Sequence, residues 1–279
     1  MVEALTDDQV ALLAGAGELP LEFARAAKRR GIGVAAVAVA PDVDPRLKDE
    51  VARFAYVPLT QWGHVIRELR LSGSKHVFVF GRVSKSVLFA QGAWDDRFRR
   101  VIAQAQDGSD LELLLAFAAD LAREGLHICE QPALLPELFP GPGVLTQRSP
   151  TEQEWRDIAF GFRLAKSTSA LEIGQTVVVK DKAVLAVEAM EGTDAAIVRG
   201  GQLAQGGAVA VKVARPQQDP RFDMPTVGPS TIAAMHAAGV AALAFEAGRT
   251  FVIDRERVIR DADAAGIAVV AWHPEEGQE

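Results

Sequence analysis

Residues 9–40 read QVALLAGAGELPLEFARAAKRRGIGVAAVAVA, and this stretch decides the fold of the first half. Its outer runs, QVALLAG and VAAVAVA, show no in/out alternation of polar and apolar residues, as expected of strands covered on both faces in a parallel sheet. Between them Leu19 to Arg30 carries the spacing of an amphipathic helix, so the whole reads as a βαβ unit. Working outward, FAYV (54–57) and HVFVFG (76–81) supply further strands around a helix near Trp62 to Leu71. Helices around Asp95–Ala105 and Asp110–Glu124 then lead into LHICE (126–130). The expectation is an α/β protein whose residues 1–130 form a Rossmann-like, doubly wound parallel sheet.

Residues 130–150 read EQPALLPELFPGPGVLTQRSP, and their five prolines break helices and central strands. Residues 131–150 are therefore read as a semi-extended linker that leaves a crevice between two domains. The second domain, residues 151–279, opens with a helix over about Thr151–Leu171. A hairpin follows, QTVVVKDKAVLAVEA (175–189), turning at Lys180-Asp181-Lys182. Next come a helix opened by EGTD (191–194), the strand AVAVKVA (208–214) and a helix over Ser230–Gly239 led by Pro229. LAFEAG, TFVID, a helix over about Arg255–Ala265 and IAVVAW complete it. Without strict βαβ alternation, this half is expected to be an α/β domain with a mixed sheet.

The 279 residues are 49% hydrophobic and 24% charged, the balance of a globular enzyme rather than a disordered or fibrous chain. Thirty Lys and Arg oppose 37 Asp and Glu, for a net charge of −7, which argues against a nucleic-acid surface. The single cysteine, Cys129, is expected in the core of a strand, and the absence of an internal disulfide fits a reducing compartment. The N-terminus MVEALTDDQVALLAGAG has acids where a secretory peptide has bases, and no apolar run reaches about 18 residues. A cytoplasmic location is expected, with any membrane contact peripheral at the inner membrane.

Several segments invite chemistry. Gly15-Ala16-Gly17 follows the first strand and opens the first helix, where backbone N–H groups bind phosphate, but Pro20 stands where a dinucleotide fingerprint needs its third glycine. Phosphate or sugar recognition and a purely structural tight turn both fit. Gly81 and Arg82 leave the strand HVFVF at the carboxyl end of the same sheet, where Arg82 could fork onto a phosphate or pair with the adjoining helix. Glu188, Glu191 and Asp194 cluster around a strand end, more carboxylates than the capping of one helix requires; their repulsion favours a cation, while Thr193 or Asp194 would serve as N-cap. In QQDPRFDMP (217–225) two prolines stiffen a loop carrying Asp219, Arg221 and Asp223, and Pro225 biases Met224 to extended geometry, so Asp223 is held close to one orientation. Carboxylates on such a loop suit Mg²⁺ or a general base. The five histidines, His64, His76, His127, His236 and His273, are scattered and define no motif.

GAGELP (15–20), GRVSK (81–85), the long linker, IGQTVVVKDKAVLAVEAMEGTDA (173–195) and KVARPQQDPRFDMPTVGPSTI (212–232) together closely resemble the LpxI family, UDP-2,3-diacylglucosamine diphosphatases of lipid A biosynthesis. The resemblance runs over essentially the whole chain. It implies Mg²⁺-dependent hydrolysis of UDP-2,3-diacylglucosamine to UMP and 2,3-diacylglucosamine 1-phosphate (lipid X), in a crevice between two α/β domains. It makes Asp223 the leading catalytic residue and matches Asp219, Glu191 and Asp194 to motif positions. Charge and position add phosphate contacts from Lys212 and Arg221, with Gln218 and Thr193 beside them as substrate-binding candidates. Metal ligands are expected among Asp223, Glu191, Asp194 and Glu188. The two acyl chains need an apolar surface, for which Leu134, Leu135, Leu138 and Phe139 are one candidate and helix packing is the alternative reading. The expected mechanism is direct attack of water on the β-phosphorus. A non-catalytic nucleotide-sugar or lipid binding protein is the rival reading, and an NAD-dependent oxidoreductase a third. The oligomeric state stays open between monomer and homodimer.

Overall fold

The computed structural model describes residues 8–84, 94–105, 110–222 and 224–273. The chain divides into two compact units, Met1–Leu135 with Pro220–Asp223, and Pro136–Asp219 with Met224–Glu279.

The first unit runs β1 (Gln9–Ala14), α1 (Leu19–Arg29), β2 (Gly33–Ala38), α2 (Leu47–Glu50), β3 (Arg53–Tyr56), α3 (Trp62–Arg70), β4 (His76–Phe80), α4 (Asp96–Ile102), α5 (Asp110–Arg123), β5 (His127–Ile128) and α6 (Gln131–Leu134). Its five strands are parallel in the order β3-β2-β1-β4-β5, as the unbroken apolar runs require. Every residue of β1 and β2 after the first is buried. Phe23 of α1 packs on Phe78 and Phe80 with ring centroids 5.0 and 4.8 Å away. The buried Trp62 of α3 donates its indole N–H to the Asp120 carboxylate at 2.8 Å, and Arg97 donates to the same oxygen at 2.7 Å. Cys129, expected in the core, is only half-buried, because β5 is two residues long and lies at the sheet edge.

The proline-rich stretch carries structure of its own. Pro132 sits in the first turn of α6, where no amide hydrogen is needed, and Pro136–Leu138 form one 3₁₀ turn. The suggested acyl-chain surface is corrected here: Leu134, Leu135, Leu138 and Phe139 are all buried, Phe139 edge-on to Phe251, so they are packing residues.

The second unit runs β6 (Gly143–Val144), α7 (Glu152–Ala170), β7 (Thr176–Lys180), β8 (Ala183–Val187), α8 (Thr193–Ala204), β9 (Ala208–Lys212), β10 (Thr226–Val227), α9 (Pro229–Ala238), β11 (Val240–Glu246), β12 (Phe251–Val252), α10 (Arg255–Ala264) and β13 (Ala268–Trp272). Six strands form a mixed sheet in the order β6-β13-β11-β9-β7-β8. Strands β9, β11 and β13 are parallel; β7 runs antiparallel to β9 and β8, and β6 antiparallel to β13. One apolar layer packs α7 on the sheet through Ile158, Phe162 and Ala165, and another packs α8, α9 and α10 on the opposite face. No helix among the described residues is long and apolar enough to cross a membrane.

The β7–β8 hairpin turns on Asp181 and Lys182, both with positive φ (50° and 59°), the backbone pair of the turn that matches strand twist and usually recruits Asn-Gly. The turn persists without glycine because the buried Asp157 carboxylate of α7 accepts both turn amides, at 2.9 Å from Asp181 and 2.8 Å from Lys182.

Candidate functional site

The site is built where β9 ends. Lys212 is the last residue of β9, is only 6% exposed, and stands directly opposite Thr176 in the antiparallel ladder, so the two side chains share a face. The Lys212 ammonium donates to the Thr193 hydroxyl at 2.6 Å, and that hydroxyl donates to Glu188 Oε1 at 2.9 Å. Glu188 follows β8 and its amide is fixed on the Thr176 carbonyl at 2.9 Å. An added Cβ on Gly174 would lie 2.0 Å from the Glu188 carbonyl oxygen, so only glycine lets the chain before β7 pass this close. Thr193 opens α8, but the cap expected of it is absent. Gly192, at φ 83°, is the N-cap residue, and the Thr193 hydroxyl is drawn to Lys212 and Glu188 instead.

Lys212 and the uncapped N-terminus of α8 thus bring positive potential to one spot, at the carboxyl edge of the parallel strands where open α/β sheets bind ligands. Two buried polar atoms at this spot, Glu188 Oε2 and Thr176 Oγ1, have no hydrogen-bond partner among the described residues. Orphaned atoms of this kind call for an ion, a water or a ligand group.

The remaining expected residues are dispersed. Exposed Glu191 accepts from the Ala189 amide at 3.1 Å and from Arg199 at 2.5 Å; backbone amides, with the guanidinium, hold its carboxyl below the usual range. Asp194 lies half-buried in the first turn of α8. Among the described residues no three His, Cys, Asp or Glu side chains are grouped so as to hold a metal ion. The loop after β9 makes a turn over residues 215–218, with Pro216 at its second position and the Gln218 amide on the Arg215 carbonyl at 3.1 Å. Gln218 accepts from the Gln175 side chain at 3.2 Å. Asp219 is half-buried, and Arg221 lies over the Phe222 ring at 5.1 Å. Asp223 lies outside the described residues.

Gly15, Ala16, Gly17, Gly81 and Arg82 belong to the first unit. The Gly15 and Ala16 amides are spent on the Phe80 and Arg82 carbonyls, both at 2.8 Å, and Gly17 bridges to Val43. The chain segments leaving β1 and β4 cross so closely that a Cβ on Gly15 would meet the Arg82 carbonyl oxygen at 2.6 Å; Gly81, at φ 90°, would likewise strike Gly15. Exposed Arg82 pairs with Ala16 through its backbone.

Two charged residues passed over in the sequence meet beside the same loop. Lys166 of α7 donates to both carboxylate oxygens of Glu246, at 2.7 and 2.6 Å, at the end of β11. Burial pushes the Lys166 ammonium below the ordinary lysine range, against the pull of Glu246. One signal was available: Glu246 ends the otherwise apolar run VAALAFE, an unusual place for a carboxylate without a partner.

The described residues form two α/β units, and the second brings a buried lysine and an uncapped helix start together at the carboxyl ends of its parallel strands. A family model described as the LpxI N-terminal domain matches residues 9–138, and one described as the LpxI C-terminal domain matches residues 141–270. The UDP-2,3-diacylglucosamine pyrophosphatase LpxI of Caulobacter vibrioides is 33% identical over 96% of this chain and 99% of its own length. The chain belongs to the LpxI family.

Proposed function

We propose that this chain hydrolyses the diphosphate of UDP-2,3-diacylglucosamine, releasing UMP and 2,3-diacylglucosamine 1-phosphate for lipid A biosynthesis. Membership of the family over both units supports the reaction class. The observation that carries the chemistry is Lys212, buried and aimed with Thr193 at the first turn of α8, a cation for a diphosphate oxygen. In this reading water attacks the β-phosphorus, Asp223 accepts the water's proton, and UMP leaves. Gln218, on the same loop, helps to orient the phosphate, and Asp219 is the second catalytic candidate there.

A Mg²⁺ ion keeps most of its waters and needs only one or two carboxylates beside the substrate phosphates. Glu188 fits that demand, since its Oε2 is buried and lacks a partner among the described residues, whereas Glu191 is committed to Arg199 and the Ala189 amide. Glu188 would hold the ion, which when bound would neutralise charge on the diphosphate.

The test is to incubate the protein with UDP-2,3-diacylglucosamine and Mg²⁺ in ¹⁸O-enriched water. The label is expected in the phosphate of the lipid product, and excess EDTA should abolish turnover. Label in UMP would overturn the site of attack, and no UMP at all would overturn the activity.

A further inference from the structure

The ladder between β9 and β11 ends at Lys212 opposite Phe245, whereas on its other side β11 stays paired with β13 through Glu246, and the Ala247 amide bonds the Trp272 carbonyl at 2.9 Å. On its β11 side the chain leaving β9 is then without a neighbouring strand as it enters the loop of residues 215–222, while on the β7 side the Val213 amide still bonds the Gln175 carbonyl at 2.9 Å. The gap is filled by side chains. Glu246 Oε2 accepts the Ala214 amide at 2.8 Å, Lys166 donates to the Ala214 carbonyl at 2.9 Å, and Arg249 donates to the Arg215 carbonyl at 3.1 Å while lying 3.4 Å from Glu246 Oε1. Ala214 is fully buried, and Glu246 is 3% exposed. One ion pair therefore grips both backbone groups of the residue from which this loop springs.

We infer that Lys166 and Glu246 are positioning residues: together they set the stem of the loop that leaves β9 and thereby the placement of Gln218 and Asp219. A purely stabilising ion pair does not need to bond the backbone of a neighbouring strand on both its donor and its acceptor; this one does so where the sheet's own hydrogen bonds stop. The alignment of reacting groups is what such a clamp governs, so its loss acts on turnover more than on substrate binding. The inference rests on the hydrolase reading for its kinetic readout, and not for its structural one.

The experiment compares Lys166→Met, Glu246→Gln and the double variant in the full chain, each at a temperature well below its melting point, with Arg257→Gln as a surface control. Each single variant should lower kcat by about 10-fold or more with KM changed less than about 2-fold, and the double variant should fall little below the worse single one, because both act through one stem. Amide hydrogen exchange at Ala214 should speed up in the single variants while that at Val178, in the middle of β7, stays as in the unaltered protein. Unchanged kcat in both single variants, a rise in KM alone, fully additive losses, or unchanged exchange at Ala214 would overturn the inference. Should the unaltered protein release no UMP, the hydrolase reading fails, and the exchange at Ala214 still decides this one.

Discussion

Replacing Lys212 with Met separates a ligand-binding lysine from a structural one. The side chain is 6% exposed, and its one charged donor meets Thr193 at 2.6 Å. Methionine keeps an unbranched apolar stem of similar length and removes the ammonium, while Thr193 can still donate to Glu188. A charge-assisted hydrogen bond to a phosphate oxygen contributes about 1.5–3 kcal/mol, which at roughly 1.4 kcal/mol per decade is a loss of about 10- to 150-fold in kcat/KM. Stability should fall little, since taking a buried charge out of the fold relieves desolvation and offsets the loss of its bond to Thr193. Initial rates of UMP release and a thermal melt on the same preparation read both quantities. A variant with kcat/KM within threefold of the parent, or one that unfolds before its activity changes, would refute the assignment of Lys212 to the substrate.

Asp157→Ala withdraws the acceptor from two turn amides and should cost about 2–4 kcal/mol in urea unfolding, with turnover of the folded fraction unchanged. Lys182→Gly removes the strain of a side chain at φ 59° and should stabilise the protein by about 1 kcal/mol; a loss of stability would mean that the side chain, not the backbone, matters there. Burial pushes the Glu154 carboxyl up, but Arg148 and the Thr151 amide outweigh it and leave it below its ordinary value of 4.5. A depressed carboxyl stabilises the fold above that value and loses the contribution as pH falls through its folded-state pKa. Unfolding free energy should therefore decline from about pH 4.5 downward, and less steeply in Arg148→Gln.

Much of the fold was legible because the strands are apolar on both faces, so VAAVAVA and AVAVKVA admit few other readings. The hairpin was legible too, although Asp181-Lys182 lacks the usual turn residues; what holds it, Asp157, is 24 and 25 residues away and gives no local signal. The prolines of residues 131–150 mark breaks correctly, yet proline is also welcome in a first helical turn, which is how α6 accommodates Pro132. At the site, Glu188, Thr193 and Lys212 were each singled out, but separately, as metal ligand, as cap or substrate contact, and as phosphate contact. Their linkage depends on the register of β7 between β8 and β9, which composition does not encode. The Lys166–Glu246 pair spans 80 residues: a carboxylate ending an apolar run hinted that Glu246 has a partner, but nothing local pointed to Lys166.

The place of β13 in the second sheet bears on how the protein is made. β13 lies between β11 and β6, so an interior slot of the sheet stays vacant until residues 268–272 have been synthesised, and β6, made some 125 residues earlier, has no strand to pair with before then. The first sheet, by contrast, has all five strands by Ile128. During translation the first unit can gather its sheet while the second waits with the edge of β11 open to other chains, which makes the emerging second half the stage most exposed to aggregation.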